Sequence, residues 1–408
     1  MTRTVITRMP RAAIEAVRYV LQKGSRNAAR AALQDLAPLR VPHDDRDHLQ
    51  ETVQWIFRAH DAGEDQGVSR SYSLRRHRRY ECTGWLPSYP ETTGYIIPTL
   101  YEIARTQDWP EAADRAERMA RWEVEIQMDT GAVRGGTVAD DPSPAVFNTG
   151  QVLFGWVRAA EETKDPVFDE ASARAARWLV DCQDPDGAWR RGASKFAAES
   201  GHVYNTRVAW ALALYARRSG DSDANAAARR SCEFALARQN EKGWYAENCL
   251  DDQAHPLVHT IAYAAQGLLE TGLIQDDERF VDAARKTAVA VADVQHDDGF
   301  LAGRLDQDWR ESAEWSCLTG NSQMALIWSR LAALDKSPVF KEAANRAVHF
   351  VLSTQRLDAA NPGMRGGVAG SYPVWGHYGT FEYLNWAAKF TLDALLGRMT
   401  EQPGGTAG

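Results

Sequence analysis

Cysteine is scarce in this chain. Five stand among 408 residues, at Cys82, Cys182, Cys232, Cys249 and Cys317, and no two form a CxxC. So sparse and odd a set argues against a disulfide framework or a zinc site and suits thiols kept reduced in a cytoplasm. An excess of basic charge is missing too. The formal net charge is −8, whereas a nucleic-acid binder carries a basic surface. No apolar run reaches the roughly 18 to 20 residues of a membrane helix. The start, MTRTVITRMPRAAIEAVRYVLQKG, has no apolar segment before a small-residue cleavage site, so no secretory signal is expected. These absences predict a cytoplasmic protein with no nucleic-acid or membrane partner, no metal and no cofactor. Tryptophan is plentiful, at fourteen. That exceeds the needs of a core this size, so some should line a surface or pocket.

The chain repeats itself, which is the first thing to seek at this length. A glutamine followed four residues later by glycine occurs as QMDTG from Gln127, QDPDGAW from Gln183, QNEKGW from Gln239 and QHDDGF from Gln295. Successive glutamines lie 56 residues apart, and Gln355 follows after 60. Each is preceded by an amphipathic segment such as DEASARAARWLVDCQ, and followed by a more apolar one with a polar start. Those starts are ETTGYIIPTL, FNTGQVLFGW, YNTRVAWALAL, VHTIAYAAQGLL, GNSQMALIW and GTFEYLNWAAKF. A helix apolar on every side is buried, and an amphipathic one covers it from outside. Six such pairs predict an all-α ring, an (α/α)6 toroid of six helical hairpins. The expected boundaries are an N-terminal helical extension over 1–44, the toroid over 45–398 and a disordered tail over 399–408.

The turn QDPDGAW, with Gln183, Gly187 and Trp189, resembles the QW motif of squalene-hopene cyclases. The repeat as a whole is similar to α/α-toroid proteins, which include glycoside hydrolases, uronate lyases and sugar 2-epimerases. That resemblance implies the fold and leaves the chemistry to the site.

In such a ring all inner helices start at one mouth. Thr93, Thr149, Thr206, Thr260, Ser322 and Thr380 form a column there, read first as helix caps. Their neighbours vary: Glu91, Tyr95, Asn148, Gln151, Tyr204, Asn205, Arg207, His259, Tyr263, Asn321, Gln323, Glu382 and Tyr383. Varied donors and acceptors suit a hydroxyl-rich ligand. Loops add Trp85 and Tyr89, the run from Arg75 to Tyr80, Glu199 and His202, and Trp375 to Tyr378. The arginine run reads as a solvated loop or as a clamp for an anionic group.

Hydrolysis of a glycosidic bond needs two carboxyls. Glu91 opens the first inner helix and Glu382 the sixth, neighbours once the ring closes, with Asp251 or Asp252 as substitutes. Elimination or epimerisation of a uronate needs instead a carboxylate neutraliser and a base, which His202, Tyr204, Asn205, Arg207, His259 and Tyr263 could supply. The expectation is therefore a carbohydrate-active enzyme that hydrolyses an anionic oligosaccharide through paired carboxylates, with lyase or epimerase chemistry as the alternative. An isoprenoid cyclase is the competing class, although no DxDD acid motif occurs. A non-catalytic glycan-binding scaffold is another.

Overall fold

The computed structural model describes residues 25–193, 197 and 201–400. A first helix, α1 (Arg26–Asp35), precedes the ring. Six outer helices follow: α2 (Asp45–His60), α4 (Pro110–Glu125), α6 (Pro166–Cys182), α8 (Ser222–Leu236), α10 (Glu278–Asp293) and α12 (Pro338–Thr354). Between them run six inner helices: α3 (Pro90–Thr106), α5 (Val146–Thr163), α7 (Thr206–Ser219), α9 (Val258–Gln275), α11 (Leu318–Asp335) and α13 (Asn385–Thr400). A 3-10 turn, Val203–Asn205, leads into α7. The inner helices pack in chain order and α13 closes against α3. The fold is the (α/α)6 toroid that the repeat predicts. Its last helix continues to Thr400, and the residues beyond lie outside the described ones.

Burial follows the two patterns. α6 buries one stripe, Phe168, Ala171, Ser172, Ala175, Ala176 and Leu179, at helical spacing. α5 is buried without a break from Val146 to Val157.

Turn chemistry decides which end carries the long loops. Four inner helices end on a left-handed residue, Lys164, Gly220, Asp276 or Lys336. The next residue, Asp165, Asp221, Asp277 or Ser337, caps the following outer helix with its side chain. Such tight links confine the long connections, and with them any binding groups, to the mouth where inner helices begin.

The repeated glutamines are staples between outer helices. Gln183 Nε2 donates to the Gly187 carbonyl at 3.1 Å and to the Ala227 carbonyl of α8 at 2.9 Å. Gln127, Gln239 and Gln295 reach Ala171, Ala283 and Ala343 in the same way. Gln355 closes the outer ring: it donates to Thr52 Oγ1 on α2 at 2.7 Å and to the Gly366 carbonyl at 2.6 Å, and its oxygen meets His48 Nδ1 at 2.6 Å. Gln355→Ala should therefore cost about 2–4 kcal/mol, because buried partners lose their bonds. Urea unfolding with an unchanged m-value checks this.

Two expectations are corrected. The threonine column does not cap: α3, α5, α7, α9 and α11 have no side-chain cap bond. Thr93 Oγ1 donates back to the Tyr89 carbonyl and accepts from Val68 N, both at 2.9 Å, and Thr149 does the same with Ala145 and Val133. These hydroxyls lie about one turn into the helix, where they bond the i−4 carbonyl and receive the crossing loop. Thr380 is not in a helix at all; it bonds the Gly376 carbonyl in a loop. Left-handed Gly379 and Phe381 break the chain there. Residues Glu382–Leu384 form strand β5, which pairs antiparallel with β1 (Ser71–Ser73), itself paired with β2 (Gly84–Trp85). A second small sheet joins β3 (Ser316–Cys317) to β4 (Ser371–Tyr372).

Candidate functional site

A cavity of about 320 Å³ opens at the mouth where the inner helices start. Its wall is mostly aromatic, with Tyr89, Tyr95, Phe147, Tyr204, Tyr263, Tyr378 and Trp386. Arg70, His77, Arg79, Tyr80, Glu91 and His259 supply the charge and polarity, beside Leu250 and Thr260. Among the described residues Glu91 is the one carboxyl on this wall.

Glu91 is the second residue of α3, partly open to the cavity and enclosed by protein elsewhere. The Tyr89 hydroxyl donates to Glu91 Oε2 at 2.5 Å. Burial pushes the carboxyl up to about 7, although that hydrogen bond and the charges of Arg70 and Arg207 pull the other way. A group poised at neutrality serves as acid or base.

Arg70 approaches from just before β1. Its Nη1 contacts Glu382 Oε2 at 2.6 Å, and Ser71 Oγ donates to the same oxygen at 2.7 Å. The guanidinium lies 5.1 Å from the centre of the Trp386 ring. His77 Nε2 is 3.6 Å from Glu382 Oε1. Burial alone would raise the Glu382 carboxyl, but the Arg70 charge and the Ser71 bond outweigh it and hold it below its ordinary value. Glu382 does not line the cavity; it stands behind Arg70 as its counter-ion. The two glutamates differ in ionisation, yet only Glu91 lines the cavity.

His259 is aimed by Gln323, whose Oε1 is 2.6 Å from Nδ1. An amide oxygen only accepts, so Nδ1 carries the proton and Nε2 is the basic nitrogen. Burial lowers this imidazole to about 4, with Arg207 adding to the effect against the Gln323 bond, so the ring is neutral at pH 7. Tyr263 packs 4.3 Å from His259 and 5.1 Å from Phe147, centre to centre. Burial raises the phenols of Tyr263 and Tyr204, which keep their protons.

Arg207 and Gln151 lie beneath this floor rather than in it. Arg207 Nε donates to Gln151 Oε1 at 2.9 Å and Nη1 to Gln266 Oε1 at 2.7 Å. The guanidinium is 5.1 Å from the centres of the Tyr263 and Trp210 rings.

Solved structures share this architecture across most of the chain. An unsaturated glucuronyl hydrolase specific for heparin is 15% identical, with a TM-score of 0.67 and coverage of 88% of this chain and 98% of that one. An unsaturated glucuronyl hydrolase from a Bacillus species is 13% identical, with a TM-score of 0.69 and coverage of 88% and 97%. Cellobiose 2-epimerase from Bacillus thermoamylovorans is 12% identical, with a TM-score of 0.67 and coverage of 86% and 97%. The chain shares the α/α-toroid fold with these structures. Within this toroid, residues 143–268 match the family described as squalene-hopene cyclase C-terminal domain. A squalene–hopene cyclase of Bradyrhizobium diazoefficiens is 30% identical over 123 residues, which span 29% of the toroid chain and 18% of that relative.

The toroid brings Glu91, Tyr95, Tyr204, His259 and Tyr263 together on the cavity wall, with Tyr89, Thr260 and Tyr378 and, from the arginine run, His77, Arg79 and Tyr80, and places the other expected residues elsewhere. Asn148 donates to the Arg134 carbonyl and Asn321 to the Gly299 carbonyl, each tying a loop to a helix start. Asn205 is buried in the 3-10 turn, and His202 stacks on Tyr204 with centres 4.9 Å apart. Trp85 packs against Trp55 and Tyr72, Trp375 packs against the core, and Tyr383 sits opposite Tyr72 in the sheet. Glu199 lies outside the described residues. Arg70, Phe147, Leu250 and Trp386 escaped the sequence reading. Arg70 stands five residues before the arginine run, and that proximity was the available signal. No helix is long and apolar enough to cross a membrane, and no group of three or more metal-binding side chains forms, among the described residues.

Proposed function

We propose that this toroid processes an anionic oligosaccharide bearing a uronate, with Glu91 as its acid–base group. One observation carries the proposal: Glu91, poised near neutrality, shares an aromatic cavity with the guanidinium of Arg70. Aromatic faces suit stacking on sugar rings. Arg70 would neutralise the uronate carboxylate and so acidify the adjacent C5 proton. Glu91 in its ionised form would take that proton. A phenol from Tyr263 or Tyr204 would then protonate the departing C4 oxygen as a C4–C5 double bond forms, or return a proton to C5 from the other face. Hydrolysis is the second reading, supported by the likeness to unsaturated glucuronyl hydrolases. It would use Glu91 as the acid and would need Glu382 to leave Arg70.

The aromatic wall and the match over residues 143–268 favour a cyclase. Guanidinium groups beside the cavity and under its floor oppose that, because they would destabilise a carbocation. The test is a panel of uronate and neutral oligosaccharides in deuterated water, with a farnesyl diphosphate control. Unsaturated product or deuterium at C5 is the expected result. Reducing ends without either would indicate hydrolysis, and turnover of the diphosphate alone would overturn the sugar assignment. Arg70→Gln should weaken uronate binding about 10- to 100-fold while sparing neutral sugars, because it removes a charge-assisted contact. Isothermal titration with both ligands checks it.

A further inference from the structure

We infer that α1 is a clasp that fixes the distance between the two lips of the cavity. One lip is the loop from Arg75 to Thr83, which presents His77, Arg79 and Tyr80. The other is the loop from Trp375 to Thr380, which presents Tyr378. Their roots are joined by backbone bonds. Leu74 N donates to the Phe381 carbonyl at 2.9 Å, and Phe381 N donates to the Val374 carbonyl at 2.8 Å.

Both ends of α1 grip these same roots. At its start the Ser25 hydroxyl donates to the Leu74 carbonyl. At its end the Asp35 carboxylate accepts from Val374 N at 2.8 Å. The path Ser25, Leu74, Phe381, Val374, Asp35 and back along the helix is therefore a closed circuit. Asp35 is held in place by Arg356, whose Nη2 is 3.1 Å from Oδ1, and both residues are buried. A buried ion pair that also holds a backbone amide fixes geometry more than it adds stability. Three residues more than 300 positions from Asp35, namely Arg356, Tyr372 and Val374, converge on it. Asp35 is thus a positioning residue for the cavity wall, acting through Val374.

The consequence for ligand rests on the sugar proposal above, but the mechanical claim does not. The test uses the full chain and hydrogen exchange read by mass spectrometry. The double variant Asp35→Ala/Arg356→Met releases Val374 without leaving a buried charge unpaired. Exchange in peptides covering 372–384 should rise at least tenfold while α5 and α9 stay protected. Asp35→Asn with Arg356→Met keeps an acceptor for Val374 and should restore protection. Should the first double variant fail to fold, Ser25→Ala, which removes the Leu74 grip together with the cap on Ala28 N at the start of α1, should loosen 72–83 and the first turn of α1 while 372–384 stays protected. Unchanged exchange at both lips would overturn the clasp. Looser lips with unaltered affinity for the uronate probe would leave the clasp standing and count against the sugar site.

Discussion

Glu91→Gln is expected to lower turnover by roughly a thousandfold, the scale of a lost general acid or base, and to make the protein more stable at pH 8. Both effects have one cause. In the unfolded chain this carboxyl ionises at its ordinary 4.5, and in the folded protein burial moves it to about 7. Between those values the folded protein keeps a proton that the unfolded chain has released. Stability therefore falls as pH rises through that window, and the full cost is present above about 7. That cost is on the order of 3 kcal/mol. Glutamine is neutral throughout, so its advantage should be full at pH 8 and absent near pH 4. Urea midpoints of both proteins at pH 4, 6 and 8 decide the matter. Parallel curves would mean that the acid is not held near neutrality, and would remove the main support for its catalytic role.

Gly187→Ala should destabilise the toroid by about 3–5 kcal/mol, the upper range for a single substitution. The turn after Gln183 holds Gly187 at a φ of 90°, and a Cβ there would lie 2.2 Å from the Arg230 carbonyl oxygen. That oxygen is backbone of α8 and cannot swing away. Gly220 supplies the control, because its φ is 78° but a Cβ would meet nothing within 4 Å. Gly220→Ala should cost only the left-handed strain of about 1 kcal/mol. Equal losses for the two variants, measured by denaturant unfolding, would show that strain alone explains the glycine and that the close packing of turn on helix does not matter.

The contrast between these glycines shows how far the repeat could be read in advance. The five spaced glutamines give the period, the six polar-start apolar segments give six hairpins, and the apolar pattern sorts each helix into its layer. What each staple grips was hidden, because Gln183 bonds a carbonyl 44 residues further on. The threonine column misled for a related reason. N-cap chemistry and i−4 back-bonding use the same residue types, and the loop amide that selects between them comes from elsewhere in the chain. The sixth repeat misled because pairing with β1 draws Glu382–Leu384 into a strand.

By itself the sequence determined the number of hairpins, the layer of every helix and the end at which the long loops gather. Those features rest on local signals, helical periodicity and turn residues, written six times over. Only the tertiary structure decided which polar residues line the cavity. A side chain at a helix start can face the bore, a crossing loop or the next helix, and the rotation of each helix against its neighbours makes the choice. Asn148 and Asn321 turned to loop carbonyls, Arg207 went under the floor, and the tyrosines came to the wall. Glu382 became the counter-ion of Arg70, 312 residues away in sequence, and Glu91 was left as the acid of the cavity.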